Sequence, residues 1–188
     1  MTYITFCATL KMLRISRRLN YNRKGRGIMN TIEFATEKDR DGVLALYRAQ
    51  IGREFCPWDE EYPGNDTIDY DLSRNALIVM REDDEIIAVI SIEEEEEVDE
   101  LPCWNKALQP SGNLARLAVS PKHQNKGIAR ILLQYGMDVL KESGKKSVHF
   151  LVNKLNIKAI KSYEKIGFDV VGECHMFEQD FLCYEKAL

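Results

Sequence analysis

Apolar residues along the chain follow two rhythms, one typical of strands and one typical of helices. Short apolar runs bounded by turn residues predict strands, and segments whose apolar residues recur every three or four positions predict helices. The predicted order is strand, helices, antiparallel hairpin, strand, helix, strand, helix and two final strands, which indicates a mixed α/β domain with βαβ units in its second half. Predicted strands lie at 32–35, 77–81, 86–92, 114–119, 147–152, 168–173 and 176–184. A first helix is predicted after a capping box at 36–39, with apolar positions from 43 to 51, and a second is capped by Asp66 or Thr67 and runs through Leu72. Two further helices are predicted at 128–142 and 156–166.

One polar loop, VSPKHQNKGIAR at residues 119–130, joins a predicted strand to a predicted helix. Pro121 ends the strand because it has no backbone N–H to donate. Gly127 permits a backbone geometry and a close approach that a side chain would block. The helix then begins with unpaired N–H groups at the positive end of its dipole, where anions bind. The loop therefore predicts an anion cradle, although an ordinary polar strand-to-helix turn would look similar.

Two motifs extend this interpretation. The pattern Gln124-x-x-Gly127-x-Ala129, after a strand and Pro121, resembles the acetyl-CoA loop of the GNAT superfamily of N-acetyltransferases. Downstream, the segment SYEKIGF at residues 162–168 is similar to that family's final strand–helix–strand unit. The resemblance covers roughly residues 31–185. It implies a central, mostly antiparallel sheet with helices on both faces and a V-shaped splay between two central strands.

The resemblance also implies acetyl-CoA as co-substrate, with no metal. Its pyrophosphate would lie on backbone N–H groups of the loop, and its pantetheine would pair with the preceding strand like an extra strand. Tyr163 matches the general acid that protonates the leaving thiolate, and Asn156 matches a position that contacts the pantetheine arm. The expected cofactor-binding residues are Leu117, Ala118, Val119, Gln124, Asn125, Lys126, Gly127, Ile128, Ala129 and Asn156.

The general base is less clear from the sequence. Many members of the family place a glutamate on the strand before the loop, and this chain has Arg116 and no acid there. An amine with a pKa near 10 must still lose a proton, through a water relay or a carboxylate on the neighbouring strand. If that strand continues past Ile92, alternation places Ile87, Val89, Ser91, Glu93 and Glu95 on one face. Glu93 or Glu95 could then reach the slot, and Glu93 is the candidate base that we select.

Charge is distributed unevenly along the 188 residues. Residues 1–28 carry seven basic side chains and no acid, whereas residues 29–188 carry a net charge of −11. An acidic domain repels polyanions, so nucleic acid is not an expected partner of residues 29–188. Three interpretations of residues 1–28 stay open: a transit peptide, a basic arm for nucleic acid or membrane, or a non-native extension before a domain at 29–188. We favour the last.

The five cysteines are odd in number and scattered, without a CxxC pair, which favours a reducing cytoplasm and idle thiols. Cys174, His175 and Cys183 are conceivable metal ligands, but apolar cysteines in a C-terminal hairpin are the favoured interpretation. No apolar run approaches the ~20 residues of a membrane span. We therefore expect a cytoplasmic protein without membrane association, with a homodimer left open.

The sequence as a whole predicts an N-acetyltransferase in which a primary amine attacks acetyl-CoA directly within a ternary complex. Small amines and the N-terminus or a lysine of a protein all remain open as acceptors. The alternative function is a non-catalytic module that binds or senses acyl-CoA, which the missing base favours. Trp58, Tyr62 and Trp104 lie in loops that flank the acceptor side, either as acceptor contacts or as loop anchors.

Overall fold

The computed structural model describes residues 19–22, 29–54 and 56–188. Within these residues, eight strands form one sheet in the order β1-β2-β3-β4-β5-β6-β8-β7. The strands are β1 (Leu19–Asn22), β2 (Met29–Phe34), β3 (Leu77–Glu82), β4 (Glu85–Glu93), β5 (Ser111–Val119), β6 (Ser147–Asn153), β7 (Asp169–Met176) and β8 (Gln179–Ala187). The helices are α1 (Arg40–Arg48), α2 (Asn65–Ser73), α3 (Glu96–Asp99), α4 (Ile128–Glu142) and α5 (Ile157–Glu164).

The central strands of the sheet are buried on both faces, and each face has its own hydrophobic core. Helices α4 and α5 pack on one face, which we call the α4 face, around a core that includes Ile90, Leu132 and Phe150. Helices α1 and α2 pack on the opposite face, the α1 face, around Val43 and Ile68. The segment 94–110 lies at the β6–β8 end of the same face. The predicted mixed fold, with helices on both faces, is confirmed.

The only parallel pair among the described strands is β5 with β6, and it is short. Their pairing runs from Ser111↔Ser147 to Asn113↔His149 and then stops. Beyond this point β5 continues to Val119 along β4, while β6 continues along β8. The two strands therefore diverge, and the predicted V-shaped splay between central strands is confirmed.

A β-bulge in β5 changes which residues face each side. The register to β4 shifts between the pairs Ser91↔Ala115 and Val89↔Ala118, so β5 carries one extra residue. Arg116 lies within this bulge and has a left-handed φ of 51°. Because the extra residue reverses the alternation, Leu114 and Leu117 both pack on the α4 face. Arg116 instead contacts Asp71 of α2 on the α1 face.

The last hairpin differs from the prediction, which placed its two strands at 168–173 and 176–184. Strands β7 and β8 meet in a two-residue turn at Phe177 and Glu178, with φ of 51° and 59°. Turns of this type normally contain glycine or asparagine, so the sequence carries no turn signal there.

Within the predicted extension 1–28, the structure describes only Leu19–Asn22, which pair antiparallel with residues 29–32 of β2. Residues 1–18 and 23–28 lie outside the described residues.

Candidate active site

A cleft of about 1150 Å³ follows the splay between β5 and β6. Residues 113–119 of β5 line one side of it, and residues 150–153 of β6 line the other. The lining also includes residues from both faces of the sheet, Tyr163 on the α4 face and Arg116 on the α1 face among them. The cleft therefore connects the two faces through the sheet.

The loop after β5 forms one end of this cleft. Gly127 caps α4 in a left-handed conformation, with φ 80° and ψ 4°. The first helical bond runs from the N–H of Ile131 to the carbonyl of Gly127, so the N–H groups of residues 128–130 have no acceptor within the helix. A Cβ placed on Gly127 would meet no atom within 4 Å. The loop thus presents the free N–H groups at the start of α4 to open space, as an anion-binding site at a helix N-terminus requires.

Gln124 holds the loop in place through four hydrogen bonds. Its amide nitrogen donates to the Val119 carbonyl at 3.1 Å and to the Gln50 side chain at 3.4 Å. Its amide oxygen accepts from Arg53 at 3.2 Å and from Lys158 at 3.0 Å. This residue therefore joins the end of β5 to α5 and to the loop after α1.

The positive charges of this end come mainly from residues that the sequence analysis did not select. Arg53, Arg130 and Lys158 line the cleft, together with the predicted Gln124, Asn125, Gly127, Ile128 and Ala129. Lys126 is exposed and is not among the lining residues. Arg53 and Lys158 come from segments distant in sequence, so only the fold brings them to the loop.

The edge of β5 that faces β6 is open for backbone pairing. In an antiparallel ladder, alternate residues direct their N–H and C=O groups away from the partner strand. The Val119 carbonyl points away from β4 in this way, since it accepts from Gln50 and Gln124 at 3.3 and 3.1 Å. Leu117, Ala118 and Val119 all line the cleft, as predicted.

Tyr163 lies across the cleft from this edge. Its ring packs against Phe150, with centroids 4.7 Å apart, and against Tyr184 and Phe168, at 5.7 and 6.0 Å. Burial, with a smaller contribution from Tyr184, raises the pKa of Tyr163 to about 12. The hydroxyl therefore stays protonated, and able to donate, throughout the physiological pH range.

Asn156 caps the helix that carries Tyr163. Its Oδ1 accepts from the Ala159 N–H at 3.0 Å, and the residue lines the cleft. Because that oxygen is engaged in capping, its amide N–H₂ is the group left to contact a ligand.

A buried ionic cluster lies on the α1 face, and two of its members, Arg116 and Glu93, line the cleft. Arg116 Nη2 donates to both carboxylate oxygens of Asp71, at 2.9 and 3.1 Å, and Nη1 pairs with Glu93. Arg74 approaches Asp71 at 3.2 Å and Glu93 at 3.8 Å, and Ser91 donates to Asp71 at 2.7 Å. The side chain of Asp71 is fully buried. Opposite charges thus compensate one another where water is excluded.

The sequence analysis did not identify Asp71, although a signal for it exists. Asp71 lies three residues after Ile68, so both lie on one helix face, and Ile68 is fully buried. A carboxylate on an apolar helix face has to find a cation. The identity of that cation depends on the bulge at Arg116, which the sequence does not reveal.

The two candidate carboxylates differ in position. Val89, Ser91 and Glu93 share the α1 face, as predicted, whereas Ile87 packs on the α4 face. Strand β4 ends at Glu93, and Glu95 follows as the N-cap residue of α3. Both glutamates line the cleft. Among the described residues, the Glu95 carboxylate has no hydrogen-bond or ion-pair partner, whereas the Glu93 carboxylate pairs with Arg116.

The three loop aromatics were predicted to be either acceptor contacts or loop anchors, and they differ in whether they line the cleft. Tyr62 is 48% exposed, lines the cleft and lies 3.4 Å from Arg116 Nη1 through its hydroxyl. Trp58 also lines the cleft, with its ring edge-on to Tyr47 at 5.4 Å. Trp104 is buried, donates to the Val98 carbonyl at 2.7 Å and is absent from the lining. Trp104 is therefore a loop anchor.

Within the described residues, no group of three or more His, Cys, Asp or Glu side chains is placed to hold a metal ion. Cys174 lies near Cys183, while His175 pairs with Asp180 at 2.9 Å. In the same part of the chain, no helix combines the length and the apolar character that crossing a bilayer requires.

The model of the acetyltransferase (GNAT) family matches residues 43–168, which is more than half of the chain and includes the loop, Tyr163 and the ionic cluster. The chain belongs to this family. Streptothricin acetyltransferase of Streptomyces lavendulae is 32% identical over 69 residues, or 37% of this chain. The match spans only 34% of that relative's length.

Solved structures of the family share the fold. PaiA N-acetyltransferase of Thermoplasma acidophilum, in complex with coenzyme A, aligns with a TM-score of 0.65 at 18% identity over 85% of this chain and 99% of that one. YncA of Salmonella typhimurium, a putative acetyltransferase with acetyl-CoA, aligns with a TM-score of 0.65 at 20% identity over 85% and 94% of the two chains. At these identities the likeness concerns the fold alone.

Proposed function

We propose that this GNAT-family protein is an acetyl-CoA-dependent N-acetyltransferase that transfers the acetyl group to a primary amine by direct attack in a ternary complex. The observation that carries the proposal is the cleft through the sheet. The anion cradle and Tyr163 lie at its α4-face side, and carboxylates and aromatic rings lie at its α1-face side. Two substrates entering from opposite faces would meet at the splay.

The loop residues would hold the pyrophosphate of acetyl-CoA. The N–H groups at the start of α4 donate to phosphate oxygens, and Arg53, Arg130 and Lys158 supply charge. The open space over Gly127 gives the phosphates room to approach the backbone. The edge of β5 at Leu117 and at the N–H of Val119 would pair with the pantetheine amides, since the Val119 carbonyl is already bound by Gln50 and Gln124. Backbone N–H groups of β5 would polarise the thioester carbonyl.

Tyr163 would serve the leaving sulfur. Its ring is fixed by three aromatic neighbours, so the hydroxyl is held in place rather than recruited during the reaction. The raised pKa keeps its proton available. The hydroxyl donates a hydrogen bond to the sulfur as negative charge develops, and in this way it assists the departure of the thiolate as the proposed general acid.

Glu93 is the proposed base, acting through water. Its carboxylate lines the cleft, and its pairing with Arg116 fixes its position. The same pairing makes Glu93 a weak proton acceptor, because a nearby cation favours the ionised carboxylate. The proposed reaction therefore draws on the fraction of acceptor amine that is already neutral. After the attack, the positively charged nitrogen of the tetrahedral intermediate would lose its proton through water ordered by Glu93 to bulk solvent, as the bond from carbon to sulfur breaks.

The experiment is a release assay for coenzyme A thiol across a panel of primary amines, beside calorimetric titration with acetyl-CoA. We expect saturable acetyl-CoA binding and amine-dependent release of thiol with formation of the N-acetyl product. Binding without turnover on any amine would instead identify a module that binds or senses acyl-CoA. Absence of acetyl-CoA binding would refute both functions.

A further inference from the structure

The α1-face side of the cleft contains one carboxylate that no cation neutralises. Glu95 is partly buried and lines the cleft, and within the described residues its carboxylate has no ion pair. Its neighbours differ, because Glu93 pairs with Arg116 and Glu94 pairs with Arg74. Glu54, another unpaired lining carboxylate, is exposed and follows Arg53 near the loop. A partly buried carboxylate without a cation favours a positively charged ligand.

Carboxylates outnumber cations around Glu95, although Arg74 and Arg116 pair with its two preceding neighbours. Residues 93–100 contain seven carboxylates and no basic residue, and helix α3 holds this segment against the cleft through Val98, which is both buried and part of the lining. Carboxylates concentrated along one wall raise the local concentration of cations, and this effect weakens as salt is added. Tyr62 and Phe177 add exposed aromatic rings to the lining, and such rings also attract cations. The Tyr70 ring also lines the cleft, but the Arg74 guanidinium already lies over it, 4.2 Å from its centroid.

The same wall offers nothing to an acceptor that carries a carboxylate. Arg116 is the only cation among the described lining residues of this wall, and its Nη groups already bind Asp71, Glu93 and Tyr62. Its Nε is buried without a partner and is closed to solvent. The other lining cations, Arg53, Arg130, Lys158 and His123, belong to the loop side. A carboxylate bound here would face only like charges.

We propose that the acceptor carries a second cationic group beside the amine that is acetylated, and that Glu95 binds this group. The inference rests on the proposed acetyltransferase function and specifies its substrate class. The reacting amine lies at the splay near Glu93, and the distal ammonium lies against Glu95 and the exposed aromatic rings. Glu95 is a specificity residue, distinct from the proposed base.

Three amines of equal chain length test the charge of the distal group: 1,4-diaminobutane, n-butylamine and 4-aminobutanoate. Their kcat/KM values are measured by thiol release, and their affinities for the acetyl-CoA-loaded protein by calorimetry. We expect diaminobutane to exceed butylamine by about tenfold, the equivalent of 1.4 kcal/mol, and aminobutanoate to be poorest. The advantage of diaminobutane over butylamine should shrink as salt rises from 0.05 to 0.5 M.

Glu95→Gln should lower kcat/KM for diaminobutane by about tenfold, and it should lower kcat/KM for butylamine much less. Glu97→Gln is the matched control, because Glu97 lies two residues away, is exposed and is absent from the lining. Equal use of diaminobutane and butylamine by the wild type, or an equal effect of the two substitutions, would overturn the inference. Acetyl-CoA binding without binding of diaminobutane would overturn it as well. Failure of acetyl-CoA to bind would instead refute the proposed function.

Discussion

Arg116 and Asp71 form a two-pronged ion pair, in which one guanidinium nitrogen donates to both carboxylate oxygens at 2.9 and 3.1 Å. The contact joins strand β5 to helix α2 beneath the cleft, where the Asp71 side chain is fully buried and that of Arg116 is 6% exposed. Arg116 reaches it only because the bulge gives it a left-handed conformation. A local backbone irregularity thus determines which residues the acceptor side of the cleft can use.

Asp71→Asn should lower the free energy of unfolding by about 3 kcal/mol, since breaking a buried pair leaves Arg116 partly uncompensated. Asp69→Asn on the same helix is the control. Asp69 pairs with Arg40, but its side chain is 50% exposed, so its loss should cost less than about 1 kcal/mol. Urea denaturation measures both. Equal losses of stability in the two variants would show that Glu93 compensates the Arg116 guanidinium without Asp71.

The cofactor side of the site could be predicted from the sequence because its signals are local. Pro121, Gly127 and the polar residues between them specify a strand end, a left-handed cap and a helix start within a few positions. The acceptor side could not be predicted in the same way. Arg116 depends on a bulge and Asp71 on the docking of α2, and both are long-range consequences of folding. Helical spacing from Ile68 could have indicated only that Asp71 needs a partner.

Gly127 offers a test of the anion cradle with two substitutions. Gly127→Val should weaken acetyl-CoA binding by at least about tenfold, but a β-branched residue is also strained at φ 80°. Gly127→Asn separates the two effects, because asparagine adopts left-handed conformations readily while still filling the open space. If backbone approach to the phosphates matters, calorimetry should show weakened binding in both variants. If Gly127→Asn keeps its affinity for acetyl-CoA, then glycine is needed at this position only because of the left-handed backbone conformation, and not because the phosphates approach the backbone.

Alkaline pH should destabilise the protein through its buried tyrosines. Burial raises the pKa of Tyr47 and Tyr184 above the ordinary tyrosine value of 10.0, and it raises the pKa of Tyr163 to about 12. Below pH 10 both the folded and the unfolded state keep these protons. Between pH 10 and 12 the unfolded state releases protons that the folded state retains, so stability falls as pH rises.

The fall should approach about 1.4 kcal/mol per pH unit for Tyr47, which is almost completely buried, and should be smaller for the partly exposed Tyr163. Urea denaturation at pH 8, 9.5 and 11 measures it, with Tyr47→Phe for comparison. The variant should lose less stability than the wild type between pH 9.5 and 11. Parallel curves for the two proteins would show that Tyr47 does not contribute to the alkaline loss.

Tyr163→Phe tests the proposed acid. The substitution keeps the ring and its packing against Phe150, so acetyl-CoA affinity and melting temperature should change little. A positioned proton donor is worth roughly 10²–10⁴ in kcat. A pKa of about 12 lies well above the ~8.5 of a thiol, which makes complete proton transfer to the thiolate unfavourable. We therefore expect a loss near 10², at the lower end of that range.

Tyr184→Phe is the matched control for this experiment, because the Tyr184 ring lies 5.7 Å from Tyr163 and its buried hydroxyl has no hydrogen-bond partner among the described residues. Removing that hydroxyl should leave kcat unchanged and stability equal or slightly higher. Single-turnover acetyl transfer distinguishes a slower chemical step from slower product release. Undiminished transfer in Tyr163→Phe would mean that the thiolate leaves without assistance from this tyrosine, whereas equal losses in both variants would attribute the effect to disturbed packing of the aromatic cluster.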